Sequence, residues 1–138
     1  MKYLKHFIAW VALISLVLFF TGCKVQNTPQ AAIEAYLKAL VAKDVTQAVN
    51  ASCAEWEEQA LAEGAAFEGV TVKLEGLACR VMDSEEESSV YVVCDGKFVY
   101  SYAGGEKMES DLTGRVFLAK QEGNRWRMCG YPLATNSQ

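Results

Sequence analysis

The chain has 138 residues, 51 % of them hydrophobic, and a formal net charge of −4. All 17 acids lie beyond residue 22, whereas Lys2 and Lys5 precede it, so the bulk of the chain is more acidic than that figure implies. Such a balance excludes an ordinary nucleic-acid binder, which needs a basic stripe to displace condensed counterions, and the length excludes a TIM barrel or a two-half Rossmann domain.

Lys2 and Lys5 open the chain as a short positive region, and residues 7–20 follow without a charge, with Ser15 the one polar side chain. A helix needs about 20 apolar residues to cross the hydrocarbon core. This shorter run reads as the hydrophobic part of a signal peptide covering residues 1–22. Phe20-Thr21-Gly22-Cys23 comes next: small residues before a cut, then a cysteine. These residues resemble the lipobox of bacterial lipoproteins, with Phe20 where Leu is usual. The resemblance implies a diacylglyceryl group on Cys23, cleavage before it, and anchoring on the extracytoplasmic side of a cell membrane (the outer membrane where there is one). Each buried methylene adds about 0.8 kcal/mol, so two or three chains anchor firmly where one does not. Residues 23–28 then form the anchor and a short polar tether. The tether holds the domain close to the bilayer, while the domain's negative charge disfavours its lying flat on anionic lipid.

A single domain is expected over residues 29–132, followed by a polar tail, 133–138. Thr28-Pro29 reads as an N-cap and a proline at the first helical position. Ile33, Tyr36, Leu37, Leu40 and Val41 recur on one face of a helix over 29–43. Asp44-x-x-Gln47 caps a short second helix carrying Val45, Ala48 and Val49, and Ser52-x-x-Glu55 reads as a capping box for a third. The third helix holds Trp56, Ala60 and Phe67 among acids that include Glu63, and Gly64 weakens it by about 1 kcal/mol relative to Ala. After Gly69 the period becomes two. Strands are expected over 70–81, 89–103, 112–121 and 125–131, with turns at 83–89, 104–105 and 122–124 and a bulge or bend at Gly96. Helices first and an antiparallel meander afterwards give the α+β class.

With Cys23 carrying lipid, Cys53, Cys79, Cys94 and Cys129 remain, an even number that implies disulfides outside the cytoplasm. Zinc is not expected, because no closely spaced cysteine pair occurs and the lone His6 lies in the signal segment. Cys79 and Cys94 flank the 83–89 turn symmetrically and can face one another on adjacent strands. Cys94 and Cys129 would lie two strand spacings apart, beyond the ~7 Å Cα limit for a bridge. Geometry therefore ranks Cys79–Cys94 with Cys53–Cys129 ahead of Cys53–Cys79 with Cys94–Cys129.

A first helix reading P-Q-A-A-I-E-A-Y-L-K-A-L, short helices, and a meander ending in W-R-M-C-G-Y resemble the nuclear transport factor 2-like superfamily, which includes SnoaL-type cyclases. The resemblance implies a cone: a curled sheet around the first helix, with a pocket at the open end. It does not imply an activity, since binding modules, dimerisation modules and enzymes share the fold. Catalytic relatives use Asp, His and Tyr in the cone. Here no domain histidine exists, which leaves Asp95 or Asp111 as a buried base for a small isomerase or cyclase. Both Asp residues read equally as surface carboxylates. Tyr36, Trp56, Phe67, Tyr100, Tyr102 and Trp126 either line a pocket or belong to the core. Arg125 and Arg127 flank Trp126 and either meet an anion or pair with surplus acids. The resulting expectation is an anchored, non-catalytic module for a small apolar ligand or another envelope protein, with no cofactor. A homodimer through the sheet is the further alternative.

Overall fold

A computed structural model describes residues 27–83 and 86–132. The proposed signal segment, Cys23, most of the tether and the 133–138 tail lie outside these residues. Among the described residues no helix is long and apolar enough to cross a membrane.

Three helices precede five strands: α1 (Pro29–Val41), α2 (Val45–Asn50), a 3-10 turn (Ala54–Trp56), α3 (Glu57–Glu68), β1 (Thr71–Val81), β2 (Ser89–Ser101), β3 (Lys107–Asp111), β4 (Val116–Glu122) and β5 (Arg125–Met128). Helix α1 begins as its sequence requires. The Thr28 hydroxyl accepts the Ala31 N–H at 3.2 Å, and Pro29 occupies the first turn. Ile33, Tyr36, Leu37 and Leu40 are buried, so the expected apolar face is the packed one. The helix stops two residues early, at Val41; Lys43 follows with φ 59°, and Asp44 caps α2 by accepting the Gln47 N–H.

The Ser52-x-x-Glu55 capping box does not form. The Ser52 hydroxyl is buried and donates to the Ala48 carbonyl at 2.8 Å, and the Ala54 N–H goes instead to the Glu122 carboxylate. A parallel bridge from Ser52 to Met128 on β5 holds this segment and outweighs the local motif. Gly64 has a tertiary use: a Cβ there would lie 2.8 Å from a Val45 methyl, so glycine lets α2 and α3 approach.

The sheet is antiparallel and curled into a half-barrel against α1, with order β1-β2-β4-β5 and β3 added on the far half of β2. One strand was expected over 112–121, and none over 107–111. The structure instead places Leu112 to Arg115 in a turn, with Leu112 fully buried and Gly114 at φ 84°. Strand β2 bends at Gly96 (φ 115°), where a Cβ would lie 2.7 Å from the Glu75 carbonyl oxygen. The facing strand shifts register between Glu75 and Ala78. This double irregularity turns the sheet, so one long strand takes β4 along residues 89–93 and β3 along 97–101. The last strand also ends before Tyr131. Cys129 and Gly130 together oppose Leu118, through a Cys129 N–H donated to the Leu118 carbonyl and a Leu118 N–H donated to the Gly130 carbonyl.

The cysteines pair Cys79 with Cys94 and Cys53 with Cys129, at Cα separations of 4.0 and 5.3 Å. The first bridge joins directly opposed residues of β1 and β2. The second fastens the segment before α3 to the end of the sheet, 76 residues away in sequence.

Candidate functional site

Side chains of α1, α3 and the sheet surround a cavity of about 310 Å³. Leu37 and Leu40 come from the C-terminal half of α1, Phe67 and Glu63 from α3, Phe98 and Tyr100 from the bent half of β2. Arg115 and Tyr131 complete the lining. The aromatic wall is continuous. Phe67 stands edge-on to Phe98 at 5.6 Å and tilts against Tyr100 at 6.1 Å, within the range of favourable ring contacts.

Polar chemistry in the cavity centres on one carboxylate. Glu63 Oε2 accepts the Tyr36 hydroxyl at 2.6 Å and the Tyr131 hydroxyl at 3.2 Å. The Trp56 indole N–H donates to the Tyr36 oxygen at 3.4 Å. Trp56 also packs edge-on against Tyr131 at 5.6 Å, and a Cβ on Gly130 would fall 2.7 Å from the indole ring. Burial pushes the Tyr36 phenol well above its ordinary pKa, and the hydrogen bond to Glu63 raises it further. Tyr131 is raised too, first by burial and then by the Glu63 charge. Both phenols are therefore held protonated, as donors to the Glu63 carboxylate. Arg115 donates to the Ser110 hydroxyl at 2.7 Å, and among the described residues it forms no ion pair.

The expected aromatic set is divided by this geometry. Tyr36, Trp56, Phe67 and Tyr100 belong to the cavity or its hydrogen-bonded margin. Tyr102 does not join them: it lies just past the end of β2 and is 40 % exposed. Trp126 lines a different feature, a groove of about 570 Å³ between α1, α2 and β5. Neither candidate Asp is buried. Asp95 is exposed and pairs with Arg80 at 2.9 Å, on the sheet face opposite Cys94. Asp111 is exposed and accepts the Thr113 N–H, which lowers its pKa. The carboxylate in the cavity is Glu63, to which the sequence pattern assigns no site role. Its spacing carried a signal, because Ala60, Glu63, Gly64 and Phe67 share one helix face. Arg115, Phe98 and Tyr131 had no comparable local mark. Among the described residues no cluster of three or more His, Cys, Asp and Glu side chains is placed to hold a metal ion.

No protein-family model matches the sequence, and no curated protein matches it. The fold does have relatives among solved structures. A SEC-C motif-containing protein from Rhodopseudomonas palustris superposes with a TM-score of 0.50 at 19 % identity, over 75 % of this chain and 76 % of that one. A helical cell shape determining protein from Campylobacter jejuni superposes at 0.49 and 12 % identity, over 72 % of this chain and 38 % of that one. The first likeness agrees with an α+β half-barrel architecture.

Proposed function

We propose that this is a lipid-anchored, extracytoplasmic binding module of the nuclear transport factor 2-like kind, and that its cavity takes a small apolar ligand with an anionic group. The single observation that carries the reading is the composition of that cavity. Leucine and aromatic side chains form the walls, an unpaired Arg115 is the cation that meets the charged group, and Glu63 is already satisfied by two phenols. Pockets of this size with few polar groups are ordinary ligand sites. The anchor rests on Phe20-Thr21-Gly22-Cys23 after the apolar run. The paired cysteines agree with an oxidising compartment.

The test is titration of the protein with anilinonaphthalene sulfonate, an aromatic anion, followed by competition with decanoate. Saturable emission that decanoate displaces, weakened roughly ten-fold by Arg115→Ala, is the expected result. Binding that Arg115→Ala and Phe98→Ala leave unchanged would refute the reading. A second reading, a small isomerase or cyclase, draws on the presence of a carboxylate and phenols in one cavity. In it Glu63 rather than a buried Asp moves the proton, and Glu63→Gln abolishes hydrogen–deuterium exchange at the α-carbon of a bound ketone. A homodimer through the sheet draws on Tyr91, which is 45 % exposed, and sedimentation equilibrium addresses it.

A further inference from the structure

The groove at the other end of α1 differs from the cavity in every respect. Its lining includes Ala31, Ala32 and Ala35 of the helix and Arg125, Trp126 and Arg127 of β5, and it contains no carboxylate, although the chain carries 17 acids. Among the described residues neither arginine is within ion-pair distance of an acid. Glu122 stands opposite Arg125 in the β4–β5 register, but its carboxylate accepts the Ala54 N–H. Arg127 donates to the Asn50 carbonyl through one terminal nitrogen, while its Nε is buried without a partner. The start of α1 adds the partial positive charge of a helix N-terminus to the same wall.

The path of the chain says what this groove faces. Asn27 accepts the Trp126 N–H at 3.0 Å through its side-chain oxygen and donates to the Asn124 carbonyl through its amide nitrogen. The tether thus meets the domain on the rim of the groove, against β5. Cys23 is four residues earlier, at most ~14 Å away when extended. A lipid on Cys23 therefore keeps this rim within that reach of the headgroup layer.

We infer that the groove bounded by Arg125, Trp126, Arg127 and the start of α1 docks on the anchoring bilayer and takes the headgroup phosphate of an anionic phospholipid. The inference rests on lipidation of Cys23. No carboxylate lines the groove, so the chain's net negative charge is not presented on its walls. Trp126 takes the interfacial position that tryptophans favour at a membrane. The ligand cavity, built on Leu37 and Leu40, then lies at the end of α1 remote from the bilayer.

The experiment uses the mature protein in phosphatidylcholine vesicles with and without phosphatidylglycerol, a fraction of the lipids bearing a nitroxide on the headgroup. Trp126→Phe isolates the Trp126 contribution to fluorescence, with Trp56 as internal reference. Trp126 should be quenched more than Trp56, and only where phosphatidylglycerol is present. Arg125→Gln with Arg127→Gln should lower the docked-to-undocked ratio roughly 30-fold, and Arg125→Gln alone roughly five-fold. The single variant guards against a fold disturbed at Arg127. Equal quenching of the two tryptophans, or equal quenching of Trp126 in both lipids, would overturn the docking inference. Intact mass keeps the premise separate: an unmodified Cys23 removes the anchor and the inference with it, whereas a lipidated protein with unquenched Trp126 removes the docking alone.

Discussion

The two halves of α1 are built for unlike surroundings. Toward its C-terminus Leu37 and Leu40 meet aromatic rings, and Tyr36 is buried with its hydroxyl on Glu63. Toward its N-terminus alanines face an open groove whose other wall is polar and basic. A helix can serve both ends because only one apolar stripe must be buried. Hydrogen bonds from Tyr36 and Tyr131 to Glu63 tie the cavity end together, while the groove end is free to carry charge.

The largest expected effect comes from cutting the bridge that fastens the segment before α3 to the end of the sheet. Cys53→Ala with Cys129→Ala opens a bridge of 76 residues' separation and should lower stability by about 4–5 kcal/mol in the chain-entropy picture. The Cys79–Cys94 bridge spans 15 residues, and its removal should cost about 3 kcal/mol. Chemical denaturation of the two double variants compares them, and equal losses would contradict the ranking. Gly130→Ala comes next, at about 2–3 kcal/mol, because φ is 110° and the new methyl meets the Trp56 ring. Its thermal midpoint should fall together with the near-ultraviolet signal of Trp56.

Tyr36→Phe removes a buried donor to a carboxylate and should cost about 1–2 kcal/mol. Its clearer signature is alkaline. Tyr36 and Tyr131 bind their protons more tightly when folded, so their share of stability is complete below pH 10, the ordinary phenol value, and is lost as pH rises beyond it. Denaturation midpoints measured between neutral pH and about pH 11 should drop for the natural protein and drop less for Tyr36→Phe. A parallel fall in both would remove the phenols from the account. The smallest effect belongs to the groove: Arg125→Gln should leave stability within about 0.5 kcal/mol, since Arg125 is exposed and unpaired. A larger loss would show that the groove end carries structural weight after all.

Much of the architecture was legible because its signals are local. Thr28-Pro29 starts a helix wherever it stands, and the spacing of Ile33, Tyr36, Leu37 and Leu40 marks one face regardless of partner. Cys79 and Cys94 flank a turn evenly, so any hairpin there brings them together. The failures have tertiary causes. Ser52-x-x-Glu55 is a correct capping motif that lost to β5, which takes up the backbone of the same segment. Strand β3 (Lys107–Asp111) is polar and its burial pattern shows no alternation, because it lies exposed beyond the bend at Gly96.

The sequence alone determined the α+β order, the buried stripe of α1, the alternation of the strands and a workable ranking of the bridges, because each follows from neighbours a few residues apart or from the symmetry of one turn. Only the tertiary structure decided that Glu63 would meet Tyr36 and Tyr131, that Trp126 would leave the other aromatics for a groove of its own, and that Asn27 would lie against β5. Those meetings join residues 27 to 99 positions apart. They depend on how far the sheet turns at Gly76 and Gly96, where positive φ and a register shift coincide, and no short run of residues specifies which distant side chains that turn brings together.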